Sequence, residues 1–308
     1  MTRFPVWAAM ACLSAGLAVC GVSAAPAPAA SRTVTLDGIL HPDSDDTVAF
    51  TPDGNTVFFD RSEGPRKMIM VSVRIRGHWS PPRVAGFSGR WFDQDPVVAP
   101  DGRYLLFNSD RPATPGGKPL VQDYFRGGPA PGSNIWRVDR KGAGWGAPVR
   151  LDDTINSDVF IDFASIAADG ALYFMRWDKP TKAMHIWRSA LRNGAYLPPE
   201  FVTLGDPATS THDPAVAPDQ SFMLFDYGKV AGGLGRLSIA FRRNGGWGPP
   251  IDLGDAVNAD KPWGAHILPD GRTAYVTGDA GVRRIALDPW LAEHRSDAAP
   301  RPVRSPPP

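Results

Sequence analysis

Five copies of one short motif recur along the chain, and this repeat constrains the fold more than any other feature. Each copy centres on an Asp, usually with Pro before it and Gly after it. The five residues are Asp53, Asp101, Asp169, Asp219 and Asp270, at spacings of 48, 68, 50 and 51. A period of about 50 residues indicates repeated supersecondary units, each of which buries its apolar face against the next.

The residues around each motif copy predict four strands. Pro-Asp-Gly between two apolar runs predicts a hairpin turn, because Pro sets the first φ, Asp bonds the following amides and Gly accepts a positive φ. In the second copy the second strand is expected near residues 104–107 and the third near 134–138. A Gly-aromatic-Pro element then opens the fourth strand, and we expect its aromatic residue, such as Trp145, to pack between neighbouring repeats.

Four strands per repeat, five repeats and no long helical periodicity predict an all-β, five-bladed β-propeller. The 32 Gly and 32 Pro agree, since they favour short strands joined by turns. A six-bladed ring is the alternative if the long second repeat hides extra strands. We predict instead that residues 111–133, rich in Gly and Pro, form one long loop between the second and third strands.

The fifth repeat has no fourth strand of its own after residue 287. Residues 34–41 resemble 149–156 and 251–258, which follow the aromatic elements of other repeats. We therefore expect the N-terminal strand to complete the last blade and close the ring, which removes two exposed sheet edges. The predicted organisation is a signal peptide over 1–24, a linker over 25–32, the propeller over 33–292 and a disordered tail over 293–308.

The first 24 residues have the pattern of a secretory signal peptide. Arg3 precedes an apolar run over 4–21, which is short for a membrane span, and small residues precede the predicted cleavage site after Ala24. The alternatives are an uncleaved membrane anchor and a lipoprotein anchored through Cys20, although Val19 is bulky for a lipobox. We expect a periplasmic or secreted protein with no membrane span after cleavage. Because Cys12 and Cys20 both lie in this leader, the mature protein would have no thiol for disulfides or metal sites.

One stretch carries a resemblance to a known family. Residues 95–107, Asp-Pro-Val-Val-Ala-Pro-Asp-Gly-Arg-Tyr-Leu-Leu-Phe, precede Asn-Ile-Trp and Gly-Trp-Gly-Ala-Pro. This pattern resembles the WD40-like β-propeller repeat of the TolB family, over nearly all of residues 33–291. The resemblance implies an exported, mostly non-enzymatic propeller that binds proteins or envelope components. Two features depart from the family: no counterpart to TolB's separate N-terminal domain, and Gln220 in place of Gly.

Polar residues are predicted to gather on one face of the ring. In a propeller, the loops that lead into the innermost strands and those that join second to third strands share a face where ligands bind. The rim of the central channel then carries alternating acids and bases, and the predicted ligand-binding residues are Asp46, Asp93, Asp95, Asp162, His212, Asp213, Trp263, Arg61, Arg111 and Arg176. Such a rim suits a sugar, a peptide terminus or a cation, although Asp in repeats more often caps turns and bonds neighbouring blades. We expect replacing Asp93 and His212 by Ala to weaken ligand binding without unfolding the protein.

Charge and missing motifs narrow the function. With 33 Lys and Arg against 32 Asp and Glu, the chain lacks the basic excess of a nucleic-acid binder. No nucleophile elbow, zinc-protease motif or P-loop occurs, and we predict no cofactor and no metal. The favoured prediction is a monomeric, non-enzymatic binding module for a protein or envelope glycan. The alternatives are a carbohydrate hydrolase or lyase that uses Asp residues in the central funnel, and a sensor domain separated from its signalling partner.

Overall fold

Five antiparallel sheets follow one another along the chain in the computed structural model, which describes residues 32–123, 128–228 and 235–294. The N-terminal β1 (Arg32–Thr33) precedes them. Blade 1 contains β2 (Asp45–Phe50), β3 (Thr56–Glu63), β4 (Arg66–Ile75), β5 (His78–Trp79) and β6 (Arg83–Val84). Blade 2 contains β7 (Asp93–Val98), β8 (Tyr104–Ser109), β9 (Val121–Gln122), β10 (Ala130–Pro131), β11 (Asn134–Lys141), β12 (Gly144–Trp145) and β13 (Val149–Arg150).

The remaining three blades repeat this plan. Blade 3 contains β14 (Ile161–Ile166), β15 (Leu172–Asp178), β16 (Ala183–Ser189), β17 (Leu191–Arg192), β18 (Ala195–Tyr196) and β19 (Glu200–Phe201). Blade 4 contains β20 (Ser210–Val216), β21 (Phe222–Gly228), β22 (Arg236–Arg243), β23 (Gly246–Trp247) and β24 (Ile251–Asp252), followed by helix α1 (Asp255–Asn258). Blade 5 contains β25 (Ala265–Ile267), β26 (Thr273–Gly278) and β27 (Gly281–Ala286), followed by helix α2 (Asp288–His294).

The predicted five-bladed, all-β propeller is confirmed. In each blade the strands pair in chain order from the innermost strand outward. The innermost strands β2, β7, β14, β20 and β25 contact one another in turn around a central axis. Apolar side chains of adjacent blades form the core between sheets, as where Phe58 and Ile69 of blade 1 meet Leu105 and Phe107 of blade 2.

The aromatic residues of the Gly-aromatic-Pro elements pack between blades, as predicted. Trp145 of blade 2 meets Phe58 of blade 1 edge to face, with ring centroids 5.3 Å apart. Trp247 of blade 4 meets Tyr173 of blade 3 in the same way at 6.1 Å. These contacts join adjacent sheets through aromatic pairs whose geometry is favourable beyond simple burial.

Replacing Trp145 by Ala is expected to lower the free energy of unfolding by about 3 kcal/mol, because it leaves a cavity beside Phe58. Equilibrium urea unfolding measures the change. Trp91→Ala serves as the matched control, since half-buried Trp91 contacts the Arg90 guanidinium outside the core clusters; its cost should be about 1 kcal/mol or less. Equal costs for the two variants would contradict the packing role of Trp145.

The predicted fourth strand is divided into two pieces. In blade 2, β12 pairs with the end of β11 as a short hairpin, whereas β13 pairs further back along β11 after an interruption. Pro148 separates the two pieces, and its missing N–H cannot extend the ladder. The same division occurs in blades 1 and 4, where Pro81 and Pro249 stand at the break.

The long connection in blade 2 contains a small hairpin that the sequence did not predict. Within residues 111–133, β9 and β10 pair antiparallel. Residues 124–127 lie outside the described structure. The described part of this segment adds no sixth blade.

The N-terminal strand lies beside the last blade. β1 pairs antiparallel with β27, with Arg32 opposite Arg284 and Thr33 opposite Arg283. The Val34 N–H donates to the Val282 carbonyl at 2.8 Å. Ring closure by this two-residue pairing stays a prediction, which a truncation series tests below.

The predicted signal peptide and most of the linker and tail lie outside the described residues. The boundary predicted at residue 292 falls inside helix α2, which buries Trp290 and Leu291 against the blade 4 and blade 5 core. In the part of the chain that the structure describes, no helix is long and apolar enough to cross a membrane.

Candidate functional site

The innermost strands share a bulge that shapes the upper end of the central channel. Six residues before each turn Asp, one residue of every blade has a positive φ: Thr47 at 38°, Asp95 at 53°, Phe163 at 47°, Asp213 at 50° and Gly264 at 78°. The pairing register shifts at this position in blades 1 to 4. A bulge bends its strand and re-aims the side chains around it. We call the end of the propeller where these strands begin the mouth face, and the end with the five turn Asp residues the turn face.

The bulges provide backbone donors that join one blade to the next. Asp95 N–H donates to the Asp60 carboxylate of blade 1 at 2.9 Å. Thr47 N–H donates to the Thr277 hydroxyl of blade 5 at 3.2 Å, and Gly264 N–H donates to the Asp226 carboxylate of blade 4. Each acceptor stands seven residues after its turn Asp, so the repeat itself generates these inter-blade bonds.

Four carboxylates and one lysine form a cluster below the mouth. Lys67 Nζ lies 3.0 Å from Asp46 Oδ2 and 3.7 Å from Asp60 Oδ2. The Thr47 hydroxyl donates to Asp95 at 3.2 Å, and Asp162 accepts from the Ser133 hydroxyl at 2.7 Å. Asp60, Asp95 and Asp162 are buried, whereas the Asp46 side chain retains 19% exposure.

Burial and crowding perturb the ionisation of this cluster. Burial raises the pKa of Asp60 and of Asp95 well above the usual range of a carboxyl group. Burial also raises the pKa of Asp162. Burial alone would lower the pKa of Lys67, but the Asp60 and Asp46 carboxylates reverse the shift and raise it. The lysine therefore stays charged, and its charge opposes the rise in carboxyl pKa that burial and mutual repulsion cause.

Two of the predicted rim arginines form internal ion pairs. Arg111 Nη2 lies 3.1 Å from Asp93, which also accepts from the Ser88 and Ser109 hydroxyls at 2.7 and 2.6 Å. Asp93 is fully buried and Arg111 is 7% exposed. Arg61 binds Asp45 through two hydrogen bonds of 2.7 and 2.6 Å. These pairs hold the walls of the mouth.

The remaining predicted rim residues reach closer to solvent. His212, Asp213 and Trp263 are half-buried on the loops and strand starts of blades 4 and 5. Arg176 of blade 3 stacks its guanidinium over Trp187 at 3.6 Å and donates to the Ser157 hydroxyl at 3.3 Å. The structure therefore divides the predicted residues into two sets. The outer set is Asp46, His212, Asp213 and Trp263, and the buried set beneath it is Asp93, Asp95, Asp162, Arg61 and Arg111.

An apolar cavity of about 270 Å³ occupies the central channel on the turn-face side of this cluster. All five innermost strands line it, with residues such as Val48, Val97, Ile166 and Val216 and the prolines of four turns. His266 is the imidazole in this lining, and its Nε2 has no hydrogen-bond partner among the described residues. Burial lowers the pKa of His266 to about 4, so the ring is neutral at physiological pH.

Three important residues were absent from the predicted site. Lys67 approaches the predicted Asp46 only in three dimensions, and no local pattern marks it, whereas Asp60 directly precedes the predicted Arg61 in the sequence. His266 had a signal in the repeat: four residues before the turn Asp, the other blades carry Ala49, Val97, Ser165 and Ala215. An imidazole among small or apolar side chains at one channel-lining position distinguishes the fifth repeat.

Asp226 is expected to make stability depend on pH. Burial raises the pKa of its carboxyl to about 7, whereas an Asp in the unfolded chain has a pKa of about 4. The folded state therefore binds more protons between those values, and the free energy of unfolding falls as the pH rises through this window. Asp226→Asn keeps an acceptor for Gly264 and removes the titration, so its loss of stability between pH 5 and pH 8 should be smaller by about 2 to 4 kcal/mol.

Chemical unfolding at the two pH values measures that difference. The exposed Asp43→Asn is the control and should keep the pH slope of the parent chain. Parallel slopes for the parent chain and Asp226→Asn would contradict the assignment.

Solved structures share this architecture. TolB from Acinetobacter baumannii aligns with a TM-score of 0.50 at 15% identity, over 80% of this chain and 55% of that one. The two chains share the β-propeller fold. A structure described as TolB from Agrobacterium tumefaciens also gives 0.50 at 15% identity, over 77% of this chain and 71% of its own.

A gluconolactonase from Xanthomonas campestris aligns with a TM-score of 0.43 at 14% identity, over 79% of this chain and 85% of that one. No protein-family model matches the sequence, and no curated protein matches it. The present chain spans only about half the length of the Acinetobacter TolB chain. At these identities the similarity to TolB establishes the propeller fold alone.

Proposed function

We propose that this chain is an exported, non-enzymatic binding protein that captures a protein or envelope glycan at its mouth face. The observation that carries the proposal is the internal use of the acidic side chains. Asp93 pairs with Arg111 and accepts hydrogen bonds from two serine hydroxyls, and Asp60 accepts a hydrogen bond from the backbone of the next blade. Buried carboxylates committed to such bonds support a rigid platform.

The outer set supplies the ligand contacts in this proposal. Trp263 offers an aromatic surface, and His212, Asp213 and Asp46 offer polar groups on the same mouth face. An amphipathic aromatic residue surrounded by a few polar groups is a common arrangement for recognising proteins and sugars. The buried set of Asp93, Asp95, Asp162, Arg61 and Arg111 then acts by holding these groups in place, and Arg176 extends the platform over blade 3.

Export is supported by the leader pattern of residues 1–24, and the processed chain would reside in the periplasm or outside the cell. The TolB-type fold agrees with a protein-binding role, because the TolB resemblance implies protein or envelope partners. We also propose that the chain is monomeric.

A carbohydrate hydrolase is the second candidate, and the cluster around Lys67 favours it. Raised carboxyl pKa values beside a channel are typical of acid–base catalysis. Asp95 is the carboxyl group that combines a raised pKa with a position at the mouth bulge.

Parallel assays separate these functions. Three proteins are compared: the parent chain, the double variant His212→Ala with Trp263→Ala, and the single variant Asp95→Asn. Each is cross-linked to envelope extract in one assay and incubated with purified peptidoglycan in the other. A binding protein should capture one discrete partner, lose at least tenfold of that capture in the double variant, and release no reducing ends. Release of reducing ends that disappears in Asp95→Asn would establish the hydrolase, and undiminished capture by the double variant would refute the mouth-face site.

A further inference from the structure

Four blades extend their third strand into a short projecting hairpin. These basic hairpins are residues 74–79, 140–145, 191–196 and 242–247. An aromatic residue faces the start of each hairpin, with Arg74 opposite Trp79, Arg140 opposite Trp145, Leu191 opposite Tyr196 and Arg242 opposite Trp247. The turns of the last two are Asn-Gly with both φ values positive, which is the tight turn that suits a two-residue hairpin.

All four basic hairpins lie on the turn face. Successive strands of a blade run antiparallel, so the connection from third to fourth strand returns to the same end as the connection from first to second strand. The five turn Asp residues mark that end. The hairpins therefore surround the end of the channel opposite the mouth face.

The basic hairpins carry only positive formal charges. They contain seven Lys and Arg side chains and no Asp or Glu: Arg74, Arg76, Arg140, Lys141, Arg192, Arg242 and Arg243. All of these except half-buried Arg242 are exposed. Arg74, Arg76, Lys141 and Arg192 form no ion pair with a carboxylate of the described residues, whereas the Arg140 charge acts on the Asp53 carboxyl. The charge of the first four is available to a partner.

Other charges on the turn face do not cancel this excess. Five further arginines lie on the adjoining turns and strand ends, namely Arg103, Arg137, Arg188, Arg272 and Arg284. Nine carboxylates share that region, namely Asp53, Asp101, Asp139, Asp169, Glu200, Asp219, Asp270, Asp288 and Glu293. Twelve basic groups thus stand against nine acidic ones. The acidic residues of the mouth face lie at the opposite end of the channel, where Asp45, Asp46 and Asp93 pair with Arg61, Lys67 and Arg111.

The chemistry and layout of the hairpins indicate a flat, phosphate-bearing partner. Six of the seven hairpin cations are Arg, whose guanidinium binds phosphate oxygens in pairs. Hairpins on four blades surround the axis, so a partner that reaches all of them must extend across the face. Ile75 is 57% exposed inside the first hairpin, and Leu197, beside the third, is 36% exposed. Apolar side chains next to cations are suited to the headgroup region of a bilayer.

We propose that the turn face docks on a membrane surface rich in anionic phospholipid headgroups. Binding in this orientation leaves the mouth face pointing away from the bilayer. The docking surface is separate from the mouth-face site, so either proposal can fail alone.

Vesicle sedimentation tests the docking. The full chain is mixed at 50 mM NaCl with vesicles of equal parts phosphatidylglycerol and phosphatidylcholine, or of phosphatidylcholine alone. The parent chain should bind the anionic vesicles at least tenfold more tightly, and 500 mM NaCl should abolish the difference. Every variant carries the same residues 1–31, so the contribution of the leader is common to all.

A matched pair of charge reversals locates the surface. Arg74→Glu with Arg76→Glu should weaken binding to the anionic vesicles about tenfold or more. Lys118→Glu with Lys182→Glu makes the same change in net charge at exposed positions on the mouth face and should leave binding within twofold. Circular dichroism and the Tm show whether both variants fold. If the Arg74→Glu with Arg76→Glu variant does not fold, Arg74→Gln with Arg76→Gln replaces it.

Equal binding to both kinds of vesicle would overturn the proposal. So would equal loss in the two charge-reversed variants, because that result reports net charge alone. Failure of the parent chain to bind either kind of vesicle would also overturn the docking proposal. The basic hairpins would then be assigned to an acidic protein partner. Loss of mouth-face capture in His212→Ala with Trp263→Ala, with vesicle binding intact, would separate the two sites.

Discussion

Replacing Asp93 by Ala is expected to lower the free energy of unfolding by about 3 to 5 kcal/mol. The substitution removes a fully buried carboxylate that accepts three hydrogen bonds, from Ser88, Ser109 and Arg111. The Arg111 guanidinium, which is 7% exposed, is then left without its counter-charge. Removing one partner of a buried pair costs far more than the pair itself contributes, because the other charge stays buried. Thermal and urea unfolding measure the loss.

This outcome differs from the sequence expectation that Asp93 serves ligand binding without affecting stability. The double variant Asp93→Leu with Arg111→Met should recover much of the stability, since it removes both charges and keeps apolar volume. Exposed Asp43→Ala is the surface control and should change stability by about 0.5 kcal/mol or less. A fully stable Asp93→Ala chain that no longer captures the mouth-face partner would return Asp93 to the ligand site.

Removing residues 1–41 is expected to abolish cooperative folding. Leu36, Ile39 and Leu40 pack with Val282 and blade 1 in one apolar cluster. Burial of three such side chains contributes about 4 to 8 kcal/mol, which is comparable to the whole stability of a typical domain. The truncation also removes the backbone acceptor at Ile39 that Arg61 uses and the His41 N–H that donates to Asp45. The resulting chain should show no cooperative thermal transition.

Two further chains separate strand pairing from apolar packing. A chain that begins at residue 32 should unfold cooperatively. A chain that begins at residue 35 loses β1 and the Val34 hydrogen bond but keeps Leu36, Ile39 and Leu40. If the N-terminal strand closes the ring, the chain beginning at residue 35 should have a Tm several degrees lower than the chain beginning at residue 32. Equal Tm values would limit the role of this segment to packing, and a cooperative transition in the chain without residues 1–41 would contradict both roles.

The repeat predicted the architecture because its information is local. Pro and Gly around each turn Asp determine where the chain reverses, and apolar runs of fixed length determine which residues face the neighbouring sheet. The same logic placed Trp145 against the adjacent blade. The prolines after each aromatic residue also carried information about the divided fourth strand, since a residue without an N–H interrupts a ladder wherever it stands.

The candidate site was less accessible to such reasoning. Sequence position placed Asp93 and Asp95 at the mouth, but it did not show that both are buried. Whether an Asp near a channel meets solvent or a hydroxyl depends on the rotation of its strand and on residues about 20 positions away, such as Arg111. Lys67 joins Asp46 and Asp60 only after β2, β3 and β4 have paired.

The sequence by itself therefore determined the strand pattern, the number of blades and the packing of the aromatic elements. These follow from periodicity and turn chemistry, which act between residues close together in the chain. The tertiary structure alone decided which carboxylates are buried, which arginines neutralise them, and that basic hairpins of four separate repeats share one face. Those properties depend on distance and desolvation between residues from different blades, and no short-range pattern specifies them.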